Sequence, residues 1–174
     1  GTITSRIEHF LEWKDPYPLK KTDLGDSSTS QDILIAGMFE KTNFLDLIQN
    51  FTVFESVDGR TIKKIARYQQ FRAVHKSIER IKSGTDRKSK SGVIWHTQGS
   101  GKSLTMVFLT LKIRRDPDLR DYKMVFITDR TQLDTQLTAT FQNTQSETIH
   151  HAISVKELKE LLPVSYTHLR AHET

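Results

Sequence analysis

The chain has 174 residues, 36% of them hydrophobic and 27% charged, and 26 Lys and Arg against 21 Asp and Glu give a formal charge of +5. Mean hydropathy is −0.51 and the pI lies near 9.4, values that fit a soluble domain or a piece of a longer chain, and no apolar run is long enough to span a bilayer. The absence of cysteine excludes disulfides and Cys-ligated zinc, while the basic balance permits a polyanionic partner without requiring one.

The first residues, Gly1-Thr2-Ile3-Thr4-Ser5-Arg6, lack both an initiator Met and the apolar core of a signal peptide. A chain that starts inside a longer one and works in the cytoplasm is expected. Ser5 is placed to cap a first helix, with Ile7, Phe10, Leu11 and Trp13 at helical spacing, until Asp15-Pro16-Tyr17-Pro18 breaks it. Glu12 and Lys14 have the E-x-K spacing of metal-dependent nucleases, but no Asp precedes them. Trp13 reads as packing and the pair as a surface helix end.

Residues 19–30 are polar and read as a linker. Short helical patterns follow over Gln31–Phe39 and Asn43–Ile48, the second with Thr42 or Asn43 as its cap. Phe51–Glu55, Asp58-Gly59 and Thr61–Ile65 predict a β-hairpin, since Asp-Gly is a strong tight-turn dipeptide. Ala66–Ile81 shows an apolar face at helical spacing. Its opening, Arg67-Tyr68-Gln69-Gln70, is rich in groups able to read an adenine edge, because a glutamine amide donates and accepts at once.

After a basic loop over Ser83–Ser91, Gly92-Val93-Ile94-Trp95-His96-Thr97-Gln98-Gly99-Ser100-Gly101-Lys102-Ser103 reads as strand, glycine-rich turn and helix start. This is the setting of a phosphate-binding loop: backbone N–H groups and the positive end of a helix dipole meet an anion. Thr97, Gln98, Gly99, Ser100, Gly101, Lys102 and Ser103 are the candidate nucleotide contacts, with Lys102 on the β- and γ-phosphates and the Ser103 hydroxyl on Mg²⁺. His96 stands where the strict pattern has its first glycine, a relaxation common among helicase-like ATPases. The helix is predicted over Leu104–Ile113 and stops at Pro117.

Lys123–Thr128 predicts a second buried strand, with Asp129-Arg130-Thr131-Gln132-Leu133-Asp134 at its C-terminal end leading into a helix to about Phe141. In an open α/β sheet that end faces the ligand crevice. A third strand over Ser146–Ala152 and a short helix over Val155–Leu162 complete the expectation. Strands alternating with helices argue for a parallel sheet, here too short of strands to be complete.

Taken together, the lead-in Ser5–Phe10 with Trp13-Lys14-Asp15, Phe51–Gly59, Arg67–Val74, Val93–Ser103 and Phe126–Asp134 resemble the restriction (motor) subunit of type I restriction enzymes, superfamily 2 helicase-like translocases, over roughly residues 2–160. The resemblance implies an α/β fold: an incomplete RecA-like phosphate-loop motor domain, a parallel sheet with flanking helices, over 51–163. A helical and hairpin linker region, 1–50, would precede it after a nuclease domain that these residues lack.

It further implies ATP and Mg²⁺ as cofactors, Lys102 as the catalytic lysine and Gln70 as the adenine-reading glutamine, with Gln69 a near neighbour able to take that role. Thr128, Asp129 and Arg130 would form a second motor motif beside DNA and the ATP site. Double-stranded DNA and the modification (methyltransferase) and specificity subunits are the implied partners. An acidic Walker B motif and the second motor domain are also missing from these residues, so the chain alone is expected to hydrolyse ATP negligibly and to cut nothing. Another superfamily 2 helicase or a non-hydrolysing nucleotide-binding module are the alternatives. Residues 164–174 depart from the pattern and resemble a translated sequencing adaptor; His168 and His172, although at i, i+4, receive no role.

Overall fold

The computed structural model describes residue 7 and residues 10–57, 59–127, 150, 152 and 154–163. Helix α1 (Ser30–Gly37) begins at a reciprocal cap: the Thr29 hydroxyl accepts from the Asp32 N–H at 3.2 Å, and the Asp32 carboxylate accepts from Thr29 N–H at 2.8 Å. Helix α2 (Lys41–Asn50) is capped by Glu40, whose carboxylate accepts from Asn43 N–H at 2.8 Å. Neither Thr42 nor Asn43 is the cap. Asn43 is buried instead, its side-chain amide donating to the carbonyls of Gly37 and Tyr17.

The predicted hairpin forms, with Asp58 of its turn outside the described residues. Strands β1 (Thr52–Val57) and β2 (Arg60–Ile65) pair antiparallel, from Thr52 opposite Ile65 to Val57 opposite Arg60. Helix α3 (Tyr68–Ser83) follows and buries Gln70, Phe71, Val74 and Ile78 along one stripe. The basic loop after it holds a single turn, α4 (Arg87–Lys90), started by Asp86, whose carboxylate accepts from Ser89 N–H at 2.7 Å. Helix α5 (Lys102–Arg115) ends at Asp116, ahead of Pro117, and α6 (Val155–Leu161) starts at Ser154.

The core lies between α2, β1, α3 and α5. Phe51, Phe71 and Phe108 are fully buried, with ring centroids 4.7 Å (Phe51–Phe71) and 5.6 Å (Phe51–Phe108) apart. Each such burial contributes on the order of 2 kcal/mol. A polar knot sits at the edge of this core. Asp46 of α2 is 2.8 Å from Nε2 of His75 on α3 and 2.5 Å from Nζ of Lys112 on α5, and accepts from the Asn50 amide at 2.6 Å. Burial opposes ionisation of Asp46, but the His75, Asn50 and Lys112 side chains gathered on its carboxylate outweigh it and hold its pKa down at about 2.

Two further expectations change. The lead-in is not helical over residues 10–13: Phe10 and Leu11 are about half exposed and Trp13 alone is buried, so no apolar stripe is covered and a short helix gains nothing from packing. The parallel sheet is also missing among the described residues, whose one sheet is the β1–β2 hairpin. Val93 and Trp95 are 91% and 87% exposed and Ile127 is 89% exposed, in segments that belong to no strand. A strand exists only through its neighbours' backbone bonds, and neither segment belongs to the described sheet. The described architecture is mixed α/β. The predicted helix to Phe141 and most of the Ser146–Ala152 strand lie outside the described residues.

Candidate functional site

The loop between residue 92 and α5 is shaped by two glycines. Gly99 and Gly101 have φ of +74° and +82°, a left-handed backbone that costs other L-residues about 1–2 kcal/mol. Gly101 occupies the N-cap of α5, and no side chain caps that end. The first N–H groups of the helix therefore carry their partial positive charge toward the loop. Ser100 N–H and its hydroxyl both donate to Thr97 O, at 3.3 and 2.7 Å. Lys102 Nζ donates to the carbonyls of Thr97 and His96 at 3.1 and 3.2 Å, so its ammonium lies against the loop's own backbone. Ser103, at the second position of α5, is half-buried, and Gln98 is exposed.

The loop is fastened to α3 by one side chain. Gln70 is 2% exposed; its amide nitrogen donates to Gly101 O at 3.0 Å and to Ser100 O at 3.4 Å, and its oxygen accepts from Arg67 N–H at 2.8 Å. A Cβ added to Gly101 would stand 2.6 Å from the Gln70 amide nitrogen. Gln70, Ser100 and Gly101, which the sequence lists thirty positions apart, thus form one contact. Gln69, the next residue back, is exposed.

A cavity of about 880 Å³ opens beside this contact, bounded by Gly99–Gly101, Leu104, the start of α3, the end of β2 and Phe10–Lys14 of the lead-in. The loop offers the first N–H groups of α5, the Lys102 ammonium and the Ser103 hydroxyl, groups that suit a phosphate and Mg²⁺, while the cavity beside it is lined by Gly99–Gly101 and apolar side chains, with Lys102 and Ser103 outside its lining.

Sequence reasoning did not find the lead-in wall, nor the knot of Asp46, His75 and Lys112 behind α5. Neither has a local motif, because both arise from side chains distant in the sequence. Thr128, Asp129 and Arg130 lie outside the described residues. The basic cluster divides in two: Lys82 pairs with Asp116 at 2.7 Å and Asp118 at 2.9 Å, whose hydrogen bonds raise its pKa, whereas Arg87, Lys88 and Lys90 stand exposed on α4. Glu12 and Lys14 pair with each other at 3.4 Å on the surface, and Glu12 also takes the Ser30 hydroxyl, which lowers its pKa together with the Lys14 contact.

Residues 69–171, from the start of α3 onward, match the family model described as SWI2/SNF2 ATPase, which defines the class as helicase-like ATPases. The relatives narrow it. The type I restriction enzyme HindI endonuclease subunit of Haemophilus influenzae is 35% identical over 146 residues, 82% of this chain and 14% of that protein. A provisionally named type I restriction enzyme endonuclease subunit of Methanocaldococcus jannaschii, MjaIXP, is 38% identical over 143 residues, 79% of this chain and 13% of its own length. A third, provisionally named as the C-terminal part of the MpnIIP endonuclease subunit of Mycoplasma pneumoniae, is 31% identical over 167 residues, 92% of this chain and 75% of that protein. The chain belongs to the family of type I restriction enzyme endonuclease subunits, and spans about a seventh of the first two relatives. No solved structure matches it.

Proposed function

We propose that this chain is the ATP-binding front of a DNA-translocating motor in a type I restriction-modification system. The observation that carries the reading is the loop itself: two left-handed glycines, Lys102 and Ser103 opening an uncapped α5, and a buried Gln70 amide tying that loop to the wall of a cavity. Thr97–Ser103 would take the triphosphate on backbone N–H groups, Lys102 would leave the Thr97 and His96 carbonyls for the β- and γ-phosphates, and the Ser103 hydroxyl would hold Mg²⁺. Mg²⁺ supplies charge neutralisation on the phosphate oxygens. The adenine would lie at the α3 end of the cavity. With both N–H groups of its amide engaged by loop carbonyls, Gln70 donates to a base only by giving one of them up, whereas its oxygen keeps a second lone pair to accept from one.

In the intact protein this segment would sit in a parallel RecA-like sheet completed by further strands, with Thr128, Asp129 and Arg130 close to double-stranded DNA. The modification and specificity subunits would be its partners and the cytoplasm its compartment. Family membership and the basic pI support that reading. The test is equilibrium binding of Mg-ATP with a parallel hydrolysis assay. Binding is expected to fall at least tenfold, about 1.4 kcal/mol, in Lys102→Ala, with negligible turnover by the unsubstituted chain. Turnover that Lys102→Ala abolishes would overturn the expectation of an inactive piece. Binding that ignores Lys102 would overturn the site.

A further inference from the structure

The nucleotide reading leaves one wall of the cavity without a role. Residues 10–14 form neither helix nor strand, yet side chains fix them in place. Trp13 is buried, its indole edge-on to Tyr68 at 6.4 Å and tilted to Phe71 at 5.7 Å. Its Nε1–H donates to Asp15 O at 2.7 Å, and the Asp15 carboxylate pairs with Arg72 of α3 at 2.9 Å. The end of α1 closes on the same point: a Cβ on Gly37 would meet Asp15 O at 2.2 Å and the Trp13 indole nitrogen at 2.6 Å. Fixed to the first turns of α3, the segment lines the same cavity as Gly99–Gly101 and Leu104. Phe10 and Leu11, 57% and 52% exposed, line it without being packed away.

A half-exposed Phe and Leu, held beside a polar loop by a buried Trp, present apolar surface to the cavity. A triphosphate seated on the loop would direct its flat purine into this space, and stacking or apolar contact with such side chains is indifferent to the phosphates. We propose that Phe10 and Leu11 form the outer wall of the nucleobase subsite, so that the base of a purine nucleoside triphosphate is held between the lead-in and the first turn of α3. The inference rests on the nucleotide reading of the loop and adds to it. The base would contact a segment about sixty residues upstream of Gln70, so binding would clamp the lead-in to the motor.

The test compares two Mg²⁺-loaded probes on the full chain by calorimetry: ATP, and inorganic tripolyphosphate, which has no base. Phe10→Ala with Leu11→Ala is expected to weaken ATP about tenfold and to leave tripolyphosphate unchanged, whereas Lys102→Ala weakens both. Both side chains are half exposed, and circular dichroism establishes that the variant folds. Should folding suffer, Leu11→Gln alone gives the same comparison with smaller amplitude. An unchanged ratio of ATP to tripolyphosphate affinity in a folded variant would overturn the wall while the loop stands. Failure of the unsubstituted chain to bind either probe would overturn both readings together.

Discussion

Gly101 and Gly99 have nearly the same backbone angles but different surroundings. At Gly99 an added Cβ meets nothing within 4 Å, while at Gly101 it meets the Gln70 amide at 2.6 Å. Gly99→Ala therefore carries only the left-handed penalty of about 1–2 kcal/mol. Gly101→Ala carries that penalty and also displaces Gln70, leaving a buried amide without its loop partner at a further cost of about 1–3 kcal/mol. Thermal unfolding should show Gly101→Ala as the less stable of the two, and calorimetry should show the larger loss of Mg-ATP binding for the same variant. Equal effects at the two positions would mean that the Gln70 contact does not hold the loop. The glycines and Lys102-Ser103 were legible from sequence because the loop is contiguous. That Gln70 is spent on loop carbonyls was not, because the bond joins residues thirty apart and depends on how α3 packs against α5.

At the level of elements, the determinants that proved readable are local ones: the Asp-Gly turn of the hairpin, the stop at Pro117, and the apolar stripe of α3. The lead-in misled because periodicity reports a helix only where something covers the stripe, and Phe10 and Leu11 are left half exposed. The knot of Asp46, His75 and Lys112 was illegible for another reason: it draws one residue from each of α2, α3 and α5. It also predicts a pH dependence. The Asp46 pKa is about 2 in the fold, below its ordinary 3.8. A depressed carboxylate contributes stability that is complete above the unfolded value and is lost as pH falls through the folded one, here between about pH 4 and pH 2. Its size is about 2 kcal/mol. Urea unfolding at stepped pH should show this decline, and Asp46→Asn should flatten it while lowering stability at neutral pH, since Lys112 then faces an uncharged partner. A decline of the same depth in Asp46→Asn would assign it to other carboxylates.

For the whole molecule, the described core accounts for α2, the hairpin, α3 and α5, but leaves apolar residues flanking the loop in water. Val93 and Trp95 precede the loop at 91% and 87% exposure, and Ile127 stands at 89%. Residues that read as buried strands yet stand exposed and outside any strand mark where the expectation failed, because a strand needs a neighbour's backbone and an apolar run does not report one. Exposed apolar segments favour association with other chains. Replacing Val93 and Trp95 together by Lys should therefore reduce light scattering at high protein concentration. The unfolding temperature should stay nearly constant, because surface substitutions away from packed features change stability by less than about 0.5 kcal/mol. A large drop in unfolding temperature would mean that these side chains already pack within this chain. Reduced scattering at constant stability would mean that the surface is held open for strands that the isolated segment does not pair, as the proposed parallel sheet requires.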